Sequence, residues 1–182
     1  MAAAPTSLPG LHSPAVGFEQ PFEMLHACHD RVQRMLGLLQ RLRTYLQERP
    51  CDDVARQAAR DVMRYFDQAA PLHHEDEELH VFPPLLAQGS PELVALVRQL
   101  QRDHVCMAAD WAAARVPLQA LAAGGIQGFT AEHGALFDRF AGRYDDHLRH
   151  EECRAYPAVQ RLLEPGALGP MGQEMARRRG AP

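Results

Sequence analysis

Two segments carry the same order of metal-binding side-chain types. His73-His74-Glu75-Asp76-Glu77-Glu78-Leu79-His80-Val81-Phe82-Pro83 and His147-Leu148-Arg149-His150-Glu151-Glu152-Cys153-Arg154-Ala155-Tyr156-Pro157 both read H-x-x-x-E-E-x-x-x-[FY]-P. On a helix, residues four apart project from one face one turn apart. His73 with Glu77, and His147 with Glu151, can therefore grip one metal cluster. Mixed imidazole nitrogen and carboxylate oxygen, with positions left open, suits iron or manganese. A structural zinc site takes four ligands and is closed.

These pairs need helices to hold them, and the periodicity supplies four. Phe22, Leu25, Val32, Leu36, Leu39, Leu42 and Leu46 recur at three- and four-residue steps, an amphipathic first helix ended by Pro50. A second helix starts at Asp52 or Asp53 and carries Val54, Ala58, Val62, Tyr65 and Phe66. It continues past Pro71, which is expected to kink it rather than end it. Gly89-Ser90-Pro91-Glu92 reads as C-cap, N-cap and first helical position. The third helix runs to about Ala123, with a second kink expected at Pro117, and Gly124-Gly125 makes the last turn. A fourth helix is expected from about Phe129 to Leu163. No alternating strand pattern is present. The expected fold is all-α, an up-down-up-down four-helix bundle over residues 21–164.

In such a bundle, residues equidistant from a shared turn lie at one height. His29 stands 21 residues before Pro50, while His73 and Glu77 stand 23 and 27 after it. Glu77 is 12 before Gly89 and His104 is 15 after; His104 is 20 before Gly124, and His147 and Glu151 are 23 and 27 after. At ~1.5 Å per residue these offsets differ by roughly one or two turns. One His per helix and two Glu thus converge on a single layer. If both carboxylates bridge, each of two metals receives two His nitrogens and two carboxylate oxygens, with about two positions left open. Ferritin-like carboxylate sites differ, using Glu-x-x-His with further Glu from the other helices.

With its doubled His-x-x-x-Glu-Glu and Phe/Tyr-Pro motif, the chain resembles the hemerythrin-like, or HHE cation-binding, family, bacterial type, over roughly residues 21 to 164. The resemblance implies a hemerythrin-like bundle with a non-haem di-iron site. Its metal ligands would be His29, from Cys28-His29-Asp30-Arg31, His73, Glu77, His104, from Arg102-Asp103-His104, His147 and Glu151. Leu100 and Ala108 stand where invertebrate oxygen carriers place a further third-helix His. The set is therefore more similar to bacterial members linked to oxygen, nitric oxide or iron handling. The cofactor expected is two iron ions, oxo- or hydroxo-bridged, ahead of manganese or zinc. The function expected is binding or sensing of oxygen, nitric oxide or peroxide. A di-iron enzyme or iron donor in stress defence is the alternative within this class, and a metal-free helical interaction module the alternative outside it.

Composition agrees with this reading and excludes others. The 182 residues carry a net charge of −4, and all 19 basic residues are Arg, so neither a nucleic-acid surface nor a membrane is an expected partner. Residues 1–20 read as a disordered arm without a secretory signal, and 165–182, despite Arg177-Arg178-Arg179, as a solvated tail. Four scattered cysteines without a C-x-x-C pair fit buried thiols in a cytoplasmic protein, with redox sensing by Cys28, Cys106 or Cys153 as the rarer use. Of the ten His, His26 is a substitute for His29, whereas His133, ~21 Å along the helix from His147, is a bystander. His74, His80 and His150 are expected either to support the ligands or to face solvent, and Glu78 and Glu152 to be exposed. Met107 and Trp111 follow His104 at three and seven residues and are expected to line the core.

Overall fold

Pro21 stands in the first turn of α1 (Pro21–Glu48), where a missing N–H costs nothing. The chain is described here from a computed structural model over residues 17–164 and 166–181. Most of the expected N-terminal arm, through residue 16, lies outside these described residues. Among them the regular structure is helical, with no strand.

The second stretch opens at α2 (Asp53–Arg64), where the Asp52 carboxylate accepts from the Ala55 N–H at 2.9 Å. It then passes through α3 (Ala70–Asp76) to α4 (Phe82–Gln88), joined by π-helical turns at Tyr65–Ala69 and Glu77–Val81. Ser90 caps α5 (Pro91–Ala122), which runs through Pro117 without a break. Gly124, at φ +79°, makes the following turn in a conformation that favours glycine. The last stretch is α6 (Ala131–Ala141), α7 (Tyr144–His150), a third π turn at Glu151–Ala155 and α8 (Tyr156–Leu162). The single helix expected here is interrupted at Gly142–Arg143. Glycine is a weak helix former, and the Arg143 guanidinium is held by Asp110 of α5 at 2.9 Å.

Each π turn is followed by a proline two residues on: Pro71, Pro83 and Pro157. Proline lacks an N–H and its ring crowds the carbonyl four residues back. A widened turn absorbs that misfit. Its five-residue bonds run from Ala70 N–H to Tyr65 O, Phe82 N–H to Glu77 O and Tyr156 N–H to Glu151 O. The helix at Pro71 accordingly continues, with its distortion just upstream of the proline.

The stretches pack α1 against α2, α2 against α5, α5 against α6 and α4 against α8. Their apolar faces form two cores. One gathers Val32, Leu39, Val62, Phe66, Met107, Leu118, Phe137 and Phe140, with Trp111 packed against it. The other gathers Leu25, Val81, Phe82, Leu85, Val97, Leu100, Tyr156 and Val159. On every stretch, the His or Glu positions of the expected site fall between residues of the first core and residues of the second.

The C-terminal segment departs from the expected solvated tail. It forms α9 (Leu168–Arg178), which buries Met171 and Met175, four residues apart, in the second core. Burial of each such side chain stabilises by about 1.5–3 kcal/mol. Gly172 permits the approach, since a Cβ there would lie 1.8 Å from the Phe18 carbonyl oxygen. Arg178 and Arg179 both reach the fully buried Asp76, Arg179 at 2.5 Å, and His80 pairs with Glu174 at 2.6 Å. His80 therefore serves the docking of α9.

Candidate metal centre

α1 supplies His29, α3 His73, α5 His104 and α7 His147, while Glu77 and Glu151 each open a π turn. The first residue of a widened turn is directed differently from its regular helical neighbours, and such turns recur at functional sites. All six side chains are buried, from 0% exposed at Glu77 and Glu151 to 7% at His104. They meet in one place. His29, His73, Glu77 and Glu151 bring four donor atoms within 4.8 Å of one another, and so do Glu77, His104, His147 and Glu151. Both carboxylates belong to both sets.

The individual oxygens show how the sets are divided. Glu77 turns Oε1 toward His73 Nε2 at 3.5 Å and Oε2 toward His104 Nε2 at 3.3 Å. Glu151 turns Oε2 toward His29 Nε2 at 3.3 Å and Oε1 toward His147 Nε2 at 2.9 Å. Each carboxylate thus spans the gap between a His29–His73 end and a His104–His147 end. The paired rings lie 4.9 Å apart, centroid to centroid, at both ends.

This donor set fits a metal. Glu151 Oε1 and Oε2, Glu77 Oε2 and the Nε2 atoms of His73, His104 and His147 are buried without a hydrogen-bond partner. Unpaired buried polar atoms each cost about 1–3 kcal/mol, and their concentration in one cage is accounted for by a cation placed among them. Burial alone would lower the His29 and His104 pKa values. Glu151 and Glu77 outweigh it, lifting His29 to about 9 and His104 to about 10. His73 is pulled down by burial, and Glu151 is held well below the carboxylate range, since its imidazole neighbours, His147 first, outweigh burial.

A shell of carboxylates orients the rings. His29 Nδ1–H donates to Glu152 Oε1 at 2.8 Å, and His104 Nδ1–H donates to Glu78 Oε1 at 3.1 Å. Gln101 in turn donates to Glu78 Oε2 at 2.7 Å, and Asp103 Oδ2 lies 3.6 Å from His147 Nδ1. The bonds from His29 to Glu152 and from His104 to Glu78 are of the kind that fixes the tautomer and ring orientation of metal-binding His. Glu78 and Glu152 are therefore not the exposed bystanders expected. The second Glu of each motif serves the lone His of another helix, and its matched place in both repeats was the available signal.

The other histidines are distributed as follows. His74 stacks on His104 at 4.0 Å, and burial, then His104, hold its pKa well below the ordinary value. His26 is exposed, 3.7 Å from Glu152. His133 caps α6: Thr130 Oγ1 accepts from the His133 N–H at 3.2 Å and the Thr130 N–H donates to His133 Nδ1 at 3.3 Å. His150 is half-buried outside both sets. All four thiols are free and none contributes to either set.

A helical domain with a buried cluster of His and Glu shared between two donor sets defines a class, the helical metal-binding domains. Residues 20–160 match the hemerythrin HHE cation-binding domain family, and the chain belongs to it. It is also similar to an uncharacterized protein of Haemophilus influenzae (strain ATCC 51907 / DSM 11121 / KW20 / Rd). The two are 32% identical over 162 residues, covering 89% of this chain and 91% of that relative. Among the described residues, no helix is long and apolar enough to cross a membrane.

Proposed function

We propose that this protein is a cytoplasmic, non-haem di-iron protein that binds or senses a small ligand, namely oxygen, nitric oxide or peroxide. The observation that carries the reading is the sharing of Glu77 and Glu151 between two His pairs, one oxygen of each carboxylate directed to either end. On this reading His29 and His73 would hold one iron, His104 and His147 the other, and Glu77 and Glu151 would contribute to both. The helical core is read as an up-down-up-down four-helix bundle whose consecutive stretches each deliver one His to that layer. Iron at such a centre supplies reversible one-electron chemistry and open positions for a small ligand.

The chain's own residues govern access and hold the protonation of the site. An apolar crevice of about 150 Å³, lined by Phe66, Ala70, Met107, Ala108, Trp111 and His74, reaches the ring that stacks on His104. Its lining favours a small uncharged molecule over an ion. Glu78 and Glu152 keep the Nδ1–H of His104 and His29 engaged, leaving each Nε2 directed into the cage.

Anaerobic reconstitution with ferrous iron, followed by metal analysis, tests the reading. The wild type should retain about two irons per chain, consistent with four-donor ends that share bridging carboxylates. Glu77→Ala and His147→Ala should lose iron. His133→Ala removes only a helix cap and should keep it. Retention of clearly fewer than about two irons by the wild type, or unchanged retention by Glu77→Ala, would contradict the assignment.

A further inference from the structure

The two motif repeats differ at one atom inside the cage. Both place an aromatic ring at the first residue after the π turn. Phe82 stacks on His104 at 5.6 Å and 24°, and Tyr156 stacks on His29 at 5.5 Å and 23°. Each ring lies nearly parallel to one site imidazole, a contact that a phenylalanine makes without a hydroxyl at Phe82. The Tyr156 hydroxyl is the departure. It lies 3.0 Å from His29 Nε2 and hydrogen-bonds to Glu77 Oε1, with the residue only 1% exposed. Those are two donor atoms of the His29–His73 end. Nothing in the packing of α8 requires an oxygen there.

From this placement, and on the di-iron reading above, we infer that the Tyr156 oxygen is a seventh protein donor, bound to the iron at the His29–His73 end. Binding exchanges the phenol O–H bond for an oxygen–iron bond and releases the proton to solvent, as metal binding does for other protonated ligands. The two ends then become unequal. One has His29, His73, Tyr156, Glu77 Oε1 and Glu151 Oε2; the other has His104, His147, Glu77 Oε2 and Glu151 Oε1. The open positions concentrate at the His104–His147 end, the end reached by the apolar crevice through His74. Phe82, without a hydroxyl, leaves that end free.

The test uses the full chain loaded anaerobically with ferrous iron, oxidised with ferricyanide, and examined by metal analysis, visible absorption and resonance Raman spectroscopy. The wild type should carry about two irons per chain and show a phenolate-to-ferric charge-transfer band with enhanced tyrosine ring modes. Tyr156→Phe, which copies the Phe82 arrangement, should keep both irons and lose the band and the modes. Tyr65→Phe and Tyr144→Phe should keep them. A wild type with two irons and no tyrosine modes overturns the inference while leaving the di-iron reading intact. Modes that persist in Tyr156→Phe overturn it in favour of another tyrosine. A wild type that retains no iron defeats both. Because the wild-type spectrum alone can refute the inference, the test does not depend on the variant's folding.

Discussion

Two neighbouring glutamates in each motif do different work. Glu77 and Glu151 point into the cage, whereas Glu78 and Glu152, about a third exposed, fix the rings of His104 and His29. Removing such an orienting carboxylate costs about 10–100-fold in metal affinity while leaving the ligands in place. Glu78→Gln and Glu152→Gln should therefore fold normally and lose iron to a competing chelator at concentrations that leave the wild type loaded. Affinities unchanged in both variants would show that the rings need no such support. The inward carboxylates were legible because each repeats four residues after a His. The orienting ones were not, because their partners lie on other helices, 26 and 123 residues away in sequence. Tyr156 was legible as a packing aromatic, but its hydroxyl acquires a role only once Glu77 and His29 are beside it.

The helices were readable from apolar spacing, proline and glycine, yet three of their properties arise from contacts. The π turns are the first. Helical periodicity tolerates one extra residue per turn, so Glu77–Val81 and Glu151–Ala155 left no mark except the prolines that follow. Replacing Pro83 or Pro157 by Ala restores a backbone donor and lets the widened turn relax toward a regular one. Each variant should keep its helical circular dichroism and bind iron more weakly in chelator competition. The break at Gly142–Arg143 is the second, stabilised by Asp110 across the interface. The third is α9, whose Gly and Pro residues read as a tail while its Met171–Met175 pair found the second core. The Arg178→Ala/Arg179→Ala variant leaves the Asp76 charge buried and unpaired. It should lose about 3–5 kcal/mol of stability in denaturant titration, with partial recovery on adding Asp76→Ala. The same docking depends on pH. Arg178 first, and His80 after it, hold Glu174 below its ordinary value of 4.5. Its contribution is thus present above that value and is lost as pH falls through the lowered one. Amide protection of α9 should decline on that acid limb.

Across the molecule, two apolar cores are separated by a layer of buried charge and imidazole. The folded state bears the desolvation of Glu77, Glu151 and four rings, and cations among them offset it. A ligand that binds only the folded chain stabilises it by about 4 kcal/mol at a thousand times its Kd. Stripping metal should accordingly lower the thermal midpoint by several degrees, and readdition should restore it. Identical midpoints with and without chelator would favour a metal-free interaction module. The height of the four histidines was readable from turn positions because helix rise is constant, and that one regularity brought six distant residues into one layer. Which oxygen faces which ring was beyond such arithmetic, since it depends on the direction in which each π turn aims its Glu. The bridging of two irons by those oxygens is the central claim. Low-temperature Mössbauer spectroscopy of protein loaded with isotopically enriched iron and then oxidised tests it most directly. Bridged irons should give a single population of antiferromagnetically coupled ferric pairs in the wild type; isolated, magnetically independent ferric ions would contradict the bridging.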